Sequence, residues 1–164
     1  MESHDFSYRP ATVEDAFNLA VLLWEMITEE GLNRMGLDLD DEDLKNEYIS
    51  TCHNHIKHRL GKDLYCFIAE IHGLIVSHIY IIITPKMPKL GRPNASYARI
   101  SSVRTVEEYR NKGIGSVLMG HVVNFFKEKN AEEVVVWPSK KSTRFYENAG
   151  FRCENKVMEI DFFD

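Results

Sequence analysis

The sequence predicts an α/β fold in which helices cover both faces of one mixed sheet. Three observations lead to this prediction. Four segments carry apolar residues at helical spacing, six shorter segments are rich in β-branched and aromatic residues, and the two kinds are interleaved along the chain. The predicted order is β-α-α-β-β-β-α-β-α-β, and residues 1–164 are expected to form a single domain because no linker or repeat interrupts them.

The first three elements lie in the N-terminal third of the chain. Residues 6–9 alternate between apolar and polar and stop at Pro10, which predicts a short strand. After a capping threonine, apolar residues recur at helical spacing over residues 12–30, and Gly31 ends that helix. A second helix is predicted over residues 40–60.

The rest of the chain opens with three predicted strands. They cover residues 64–70, 74–83 and 96–106, which are rich in β-branched and aromatic side chains, and a loop with three prolines separates the last two. A helix, a buried strand, a second helix and one or two closing strands follow, over residues 113–129, 134–137, 141–149 and from Phe151 onward.

The composition is typical of a soluble protein of the cell interior. Hydrophobic residues make up 44% of the chain, no apolar run approaches the roughly 20 residues that span a bilayer, and the first residues lack the pattern of a secretory signal. Cys52, Cys66 and Cys153 are far apart and odd in number, which indicates reduced thiols and a cytoplasmic location.

Charge is distributed unevenly along the chain. Residues 1–50 carry 13 acidic and 3 basic side chains, a net of −10, whereas residues 51–164 carry a net of +5. The acidic part is expected to attract a cation and the basic part a polyanion, but a solvated surface explains the asymmetry equally well. The basic residues share no single helix and do not alternate with aromatic ones, so nucleic-acid binding is not predicted.

Residues 52–58 contain three side chains with metal-ligand chemistry. Cys52, His55 and His58 are three residues apart, on successive turns of one predicted helix. Zinc sites usually take ligands from two or more segments, and Cys52 lies on the apolar stripe of this helix. A histidine-rich helix face is the favoured interpretation, and no metal is predicted.

The loop from Arg110 to Ser116 carries the most chemical information. Gly113 and Gly115 stand between a predicted strand and a predicted helix, where the free N–H groups of a helix N-terminus attract phosphate. Glycine allows the backbone to approach an anion closely, and Arg110 and Lys112 add positive charge. The loop therefore predicts a phosphate-binding site, with simple helix capping as its rival.

Two common nucleotide-binding motifs do not fit this loop. The P-loop has a lysine before its serine or threonine, whereas Ser116 follows Gly115 directly. The dinucleotide fingerprint has a third glycine where this chain has Leu118, and it opens a fold of repeated βαβ units of which this chain has one.

Three spaced motifs resemble those of the GNAT superfamily of N-acyltransferases. The pattern Arg110-x-x-Gly113-x-Gly115 resembles the family's pyrophosphate-binding motif, and residues 8–16, YRPATVEDA, resemble its first strand and helix start. Residues 145–151, FYENAGF, resemble its last helix and the strand that follows. The element order is also the family's, so the resemblance covers nearly the whole chain and indicates a single-domain member of the bacterial type.

The resemblance implies an acetyl-CoA site. In the family a splayed strand offers backbone groups to the pantetheine arm, a role that falls here to Val103 and Thr105. Ser139 stands where the family often has a coenzyme-binding asparagine, and Glu107 replaces a frequent proline. The pyrophosphate would lie against the whole loop, namely Arg110, Asn111, Lys112, Gly113, Ile114, Gly115 and Ser116.

Tyr146 is the catalytic residue that the resemblance implies. An amine that attacks a thioester expels a thiolate, which a nearby phenol can protonate. The base that deprotonates the amine has no fixed position in the family, so five residues expected on the acceptor side remain candidates: Glu25, Glu29, Glu70, His72 and Ser102.

The implied function is direct transfer of an acetyl group from acetyl-CoA to a primary amine in a ternary complex. The acidic first part of the chain favours a small cationic acceptor, and a protein N-terminus or lysine is the alternative acceptor. A non-catalytic coenzyme-A-binding sensor on the same fold is the rival from another class. A homodimer stays open, whereas no metal, nucleic acid or membrane is expected as a partner.

Overall fold

A computed structural model of the chain describes residues 5–31, 33, 35–153, 158 and 160. Within these residues, five strands form one sheet in the order β1-β2-β3-β4-β5. Neighbouring strands are antiparallel except β5, which runs parallel to β4. The strands are β1 (Ser7–Pro10), β2 (Leu64–Ile71), β3 (Leu74–Pro85), β4 (Ser96–Thr105) and β5 (Ala131–Val135).

The described part of the chain has four α-helices beside the sheet: α1 (Ala16–Glu30), α2 (Glu42–Arg59), α3 (Ile114–Glu128) and α4 (Thr143–Asn148). One core lies between the sheet and the first two helices and includes Leu19, Trp24, Ile56, Ile68 and Tyr80. A second core lies on the other face, with α3 and α4, and includes Ile79, Ile81, Ile100, Leu118 and Tyr146. The predicted α/β class, with helices on both faces, is confirmed, while most of the predicted closing strand lies outside the described residues.

Local signals set the ends of the first two helices. The Thr12 N–H donates to Asp15 Oδ2 at 2.8 Å just before α1, and Gly31 ends that helix in the left-handed region at φ 64°. The Asp41 carboxylate accepts bonds from the N–H groups of Asp43 and Leu44. Because Asp41 is the cap, α2 begins two residues later than the pattern predicts. Within the described ranges, no helix is both long enough and apolar enough to cross a bilayer.

The fifth strand lies earlier in the chain than predicted. Residues 134–137 are the apolar run, but pairing with β4 begins at Ala131 and ends at Val135. Two acidic residues, Glu132 and Glu133, follow Ala131, so the start of the strand does not appear in a hydrophobicity pattern. Their charge is matched across the sheet, because Lys86 Nζ lies 2.9 Å from Glu132 and 3.3 Å from Glu133.

Candidate active site

The strands β4 and β5 separate halfway along β4. Their ladder ends where Arg99 pairs with Val135. Past that pair, within the described part of the chain, residues 100–105 form no ladder with β5. Val103 and Thr105 lie in this open stretch, which therefore offers main-chain donors and acceptors to an extended, amide-bearing ligand.

A β-bulge coincides with the separation. In the β3–β4 ladder Ile100 pairs with Ile81 and Ser102 pairs with Tyr80, so Ser101 is the extra residue. A bulge bends its strand and increases the local twist. The bend lies one pair beyond Arg99, and it helps to turn the end of β4 away from β5.

The glycine loop ends in an open helix N-terminus. Gly113 has φ 79° and Asn111 has φ 60°, both in the left-handed region that glycine and asparagine adopt most readily. The first bond of α3 runs from the Val117 N–H to the Gly113 carbonyl. The N–H groups of residues 114–116 therefore have no partner from an earlier helical turn and form a cradle that suits a phosphate.

Gly115 is the point where loop, strand and last helix meet. A β-carbon on Gly115 would lie 3.5 Å from both Phe145 Cε2 and Thr105 Oγ1, an ordinary contact distance. Thr105 Oγ1 is itself 2.9 Å from Ser77 Oγ, which also donates to the Arg104 carbonyl at 3.0 Å. The open strand end and the phosphate cradle are thus adjacent, as a ligand with both a diphosphate and an amide arm requires.

The two cations of the loop have different surroundings. Arg110 donates through Nε to the Thr105 carbonyl at 2.9 Å, and its guanidinium also forms an ion pair with Glu29 of α1. Lys112 is exposed and its Nζ lies 5.2 Å from the centre of the Tyr109 ring. The charge of Arg110 is therefore matched by α1, while Lys112 projects beside the loop.

A buried arginine that the sequence analysis did not single out joins β4 to α1. The Arg104 side chain is only 6% exposed and donates to Glu29 Oε2 at 2.9 Å and to Glu25 Oε2 at 3.2 Å. Burial alone would raise the pKa of Glu29, yet the bonds from Arg104 and Arg110 bring it below its usual value. Glu25 and Glu29 stand one helical turn apart on the same face of α1. This spacing is the signal in the sequence that could have indicated a cation facing them.

A buried histidine lies beside this arginine. His78 is 1% exposed and pairs with Arg104 across the β3–β4 ladder. Its Nε2 lies 3.4 Å from Ser102 Oγ, which also lies 3.4 Å from Met26 Sδ. Burial, with the Arg104 charge in support, lowers the pKa of His78 to about 3. The imidazole is therefore neutral at physiological pH.

The five candidate bases lie at three places in the fold. Glu25, Glu29 and Ser102 lie around the buried arginine, at the junction of α1 and β4. Glu70 lies elsewhere, at the β1–β2 pair, where its carboxylate accepts bonds from Arg9 and Ser7. His72 occupies the β2–β3 turn. The fold thus brings three of the five together.

Tyr146 lies on the inner side of α4. It is 7% exposed, and its ring centre lies 5.1 Å from that of Phe145 and 5.6 Å from that of Phe151, both nearly perpendicular to it. Burial raises the pKa of its phenol above the usual 10.0. The hydroxyl therefore keeps its proton at neutral pH and can donate it.

Ser139 precedes α4 and supports the start of that helix. Its carbonyl accepts bonds from Ser142 Oγ at 3.1 Å and Thr143 Oγ1 at 3.2 Å, and its own hydroxyl lies 3.0 Å from Ser142 Oγ. The residue is exposed, so its hydroxyl is accessible to a ligand.

The histidines of α2 have partners of other kinds. His55 Nε2 lies 2.9 Å from Arg59 Nη1, and His58 Nδ1 lies 2.7 Å from the Asn54 carbonyl. Cys52, the third residue of the pattern, is half-buried against Tyr48.

Comparison with known proteins assigns the family. Residues 24–151 match the Acetyltransferase (GNAT) family. The chain is 29% identical over 106 residues, 65% of its own length and 70% of the relative's, to the glucosamine 6-phosphate N-acetyltransferase of Trypanosoma brucei brucei.

Solved structures share the fold at lower identity. A predicted acetyltransferase of Clostridium acetobutylicum, solved with acetyl-CoA, has a TM-score of 0.68 at 20% identity, covering 95% of this chain and 96% of its own. The glucosamine-6-phosphate N-acetyltransferase of Arabidopsis thaliana has a TM-score of 0.67 at 17% identity, covering 96% and 98%. The chain described here belongs to the acetyltransferase (GNAT) family and is an acetyltransferase.

Proposed function

We propose that this protein transfers the acetyl group of acetyl-CoA directly to a primary amine of a small molecule. One observation carries the proposal: the open edge of β4, the N-terminus of α3 and the helix of Tyr146 meet around Gly115. A thioester on a pantetheine arm with a diphosphate needs these three features side by side. Family membership and the acetyl-CoA in one similar structure support the same ligand.

In this proposal the coenzyme lies along the end of β4. The backbone of Val103 and Thr105 pairs with the pantetheine amides, and Ser139 binds near the start of α4. The diphosphate lies in the cradle of the loop, where main-chain N–H groups donate to its oxygens. The loop residues proposed to contact it are Arg110, Asn111, Lys112, Gly113, Ile114, Gly115 and Ser116.

The proposed chemistry needs no covalent enzyme intermediate. The neutral amine nitrogen attacks the thioester carbonyl carbon and forms the C–N bond, while a main-chain N–H near Val103 stabilises the oxyanion. The C–S bond then breaks, and the departing thiolate takes the proton of the Tyr146 hydroxyl. The attacking nitrogen loses one proton before the attack and a second after the C–N bond forms, to solvent or to a nearby carboxylate, and the Tyr146 phenolate regains its proton from solvent. Glu25, whose side chain is 49% exposed, is placed to exchange protons with water.

The acceptor that we propose is a small molecule with a cationic amine. The segment that precedes α2 and its first turn expose a run of carboxylates, at Asp38, Asp40, Asp41, Glu42 and Asp43. Such a field attracts an ammonium group and raises its local concentration. The relative that acts on glucosamine 6-phosphate supports an amino sugar as one such acceptor. Glu25 and Glu29 lie on the same side of the sheet, on α1.

We further propose that residues 1–164 work as one domain in the cytoplasm. The thiol of Cys66 is fully buried and Cys52 is half-buried, which suits a reducing compartment.

Release of the coenzyme A thiol tests the proposal. The wild-type protein is incubated with acetyl-CoA and, in turn, a diamine, glucosamine, glucosamine 6-phosphate, and peptides with a free N-terminus or a lysine. We expect amine-dependent thiol release with a small amine and none with the Gly115→Glu protein, whose carboxylate would occupy the phosphate cradle. Coenzyme binding without thiol release for any amine would favour a non-catalytic sensor instead.

A further inference from the structure

Arg99 projects from β4 toward the α1–α2 side of the sheet. Its neighbours Ala98 and Ile100 pack into the core on the α3–α4 face, so alternation places Arg99 on the opposite face. Its partner on β3 is Ile82, which packs against the α1–α2 core. Arg99 is exposed there, on the face that also carries Glu25.

An exposed tryptophan stands beside this arginine. Arg99 pairs with Val135 at the last rung that joins β4 to β5, and Trp137 follows two residues later. The guanidinium carbon of Arg99 lies 5.9 Å from the centre of the Trp137 ring, and the tryptophan is 53% exposed. A cation and an aromatic face therefore lie together at the closed end of the gap, where the two strands begin to separate.

The position of Arg99 along β4 places it at the acceptor end of the gap. The glycine loop follows the C-terminal end of β4, and Val103 lies between that end and Arg99. A coenzyme that enters from the loop and presents its acetyl group near Val103 leaves the far part of the gap to the acceptor. Arg99 and Val103 are three pairs apart in the β3–β4 ladder, which amounts to roughly 10 Å along the strand. Arg99 thus faces the part of an acceptor that lies away from its amine.

Among the described residues, Arg99 differs from Arg104 and Arg110 in its charged neighbours. Arg104 and Arg110 are held by Glu29, and Arg104 by Glu25 as well. In the portion of the chain that the structure describes, no carboxylate forms an ion pair with Arg99. An exposed guanidinium in this setting suits an anionic group, because its fork of donors matches the oxygens of a phosphate.

We propose that Arg99 and Trp137 select acceptors that carry a phosphate group on a compact frame such as a sugar ring. This inference rests on the proposed acetyl transfer and specifies its substrate class. The guanidinium binds the phosphate oxygens, and the indole packs against the apolar face of the frame. The amine is then directed toward Val103 and the reacting carbonyl. Arg99 is a specificity-determining residue in this scheme and takes no part in proton transfer.

A matched pair of acceptors tests this inference. Steady-state rates are measured with glucosamine 6-phosphate and with glucosamine for the wild type, Arg99→Gln and Arg99→Lys. We expect Arg99→Gln to lower kcat/KM for the phosphorylated acceptor by roughly tenfold or more, because KM rises. The kcat/KM for glucosamine and the dissociation constant of acetyl-CoA should stay unchanged. Arg99→Lys should restore part of the loss because it keeps the charge without the fork.

The matched control is Arg92→Gln, which removes the same charge from an arginine that Glu132 holds in the β3–β4 loop. This variant should keep the wild-type kcat/KM for both acceptors. Equal losses for both acceptors in Arg99→Gln, or a wild type that does not distinguish them, would overturn the inference and leave the acetyl transfer standing. If the wild type releases no thiol with any amine, the proposed function fails, and calorimetry then decides the inference. Binding of glucosamine 6-phosphate must in that case weaken in Arg99→Gln.

Discussion

The guanidinium of Arg104 donates to the carboxylate of Glu29 at 2.9 Å, across the junction between strand β4 and helix α1. Glu29 also forms an ion pair with Arg110 in the glycine loop. One carboxylate of α1 therefore holds both the strand end and the loop that we propose to bind the coenzyme. Arg104 lies between Val103 and Thr105, so its anchor fixes the backbone on either side.

Loss of the Arg104 charge should destabilise the protein. Arg104→Gln leaves two carboxylates at the α1–β4 junction without their buried partner. A fully buried pair costs more, but Glu25 and Glu29 keep some contact with water, so we expect a loss of about 2 kcal/mol. Urea unfolding at neutral pH measures it. Arg92→Gln, which breaks an ion pair on an exposed loop, should change the midpoint far less. Equal midpoints for the two variants would contradict this role of Arg104.

The buried His78 predicts a loss of stability in mild acid. Its pKa is about 3 in the folded protein and near 6.5 in the unfolded chain. Below pH 6.5 the unfolded chain therefore binds a proton that the folded protein does not, and stability falls as the pH falls toward 3. One such group contributes a slope of up to about 1.4 kcal/mol per pH unit.

Urea unfolding at several pH values between 7 and 4 measures this contribution. The free energy of unfolding of His78→Gln should depend less steeply on pH than that of the wild type. The difference should correspond to about one proton fewer taken up on unfolding. His72→Gln makes the same substitution in the exposed β2–β3 turn and serves as the control for the change of side chain. Parallel pH profiles for the wild type and His78→Gln would show that His78 is not buried as a neutral ring.

Tyr146→Phe should separate turnover from coenzyme binding. The ring packing against Phe145 and Phe151 is retained, and only the proton donor is lost. We expect kcat to fall roughly 100-fold and the dissociation constant of acetyl-CoA to change less than about twofold. Since burial raises the pKa of this phenol, its ionisation should not limit the wild-type rate below about pH 10.

The control for Tyr146→Phe removes a hydroxyl at a distant site. At the start of β2, the Tyr65 hydroxyl donates a hydrogen bond to the Lys62 carbonyl. Tyr65→Phe should leave kcat unchanged. A Tyr146→Phe enzyme with the wild-type kcat at saturating acceptor would remove Tyr146 from the mechanism.

Much of the fold could be predicted because the signals for it are local. Gly31 and Gly113 stand at helix ends for reasons of backbone geometry that a sequence displays directly. The glycine loop was predictable in the same way, since its positive φ angles and its place between strand and helix depend on neighbouring residues.

The contacts around the candidate site depend on residues far apart in the chain. Arg104 and Glu29 are separated by 75 residues, and His78 and Ser102 by 24. No local pattern specifies which arginine is buried or which histidine loses its contact with water. The same limit applies to β5, because the charges of its acidic first half are matched by Lys86, which lies 46 residues before Glu132 in the chain.

Calorimetric titration of acetyl-CoA into the wild type, Gly115→Ala and Gly115→Glu tests whether this loop is the coenzyme site. A β-carbon on Gly115 fits at 3.5 Å from its neighbours, so the alanine variant should bind one equivalent as the wild type does. A carboxylate at the same position should abolish binding by repelling the diphosphate. A wild type that fails to bind acetyl-CoA, or a Gly115→Glu variant that binds it as tightly as Gly115→Ala, would show that the loop is not the coenzyme site.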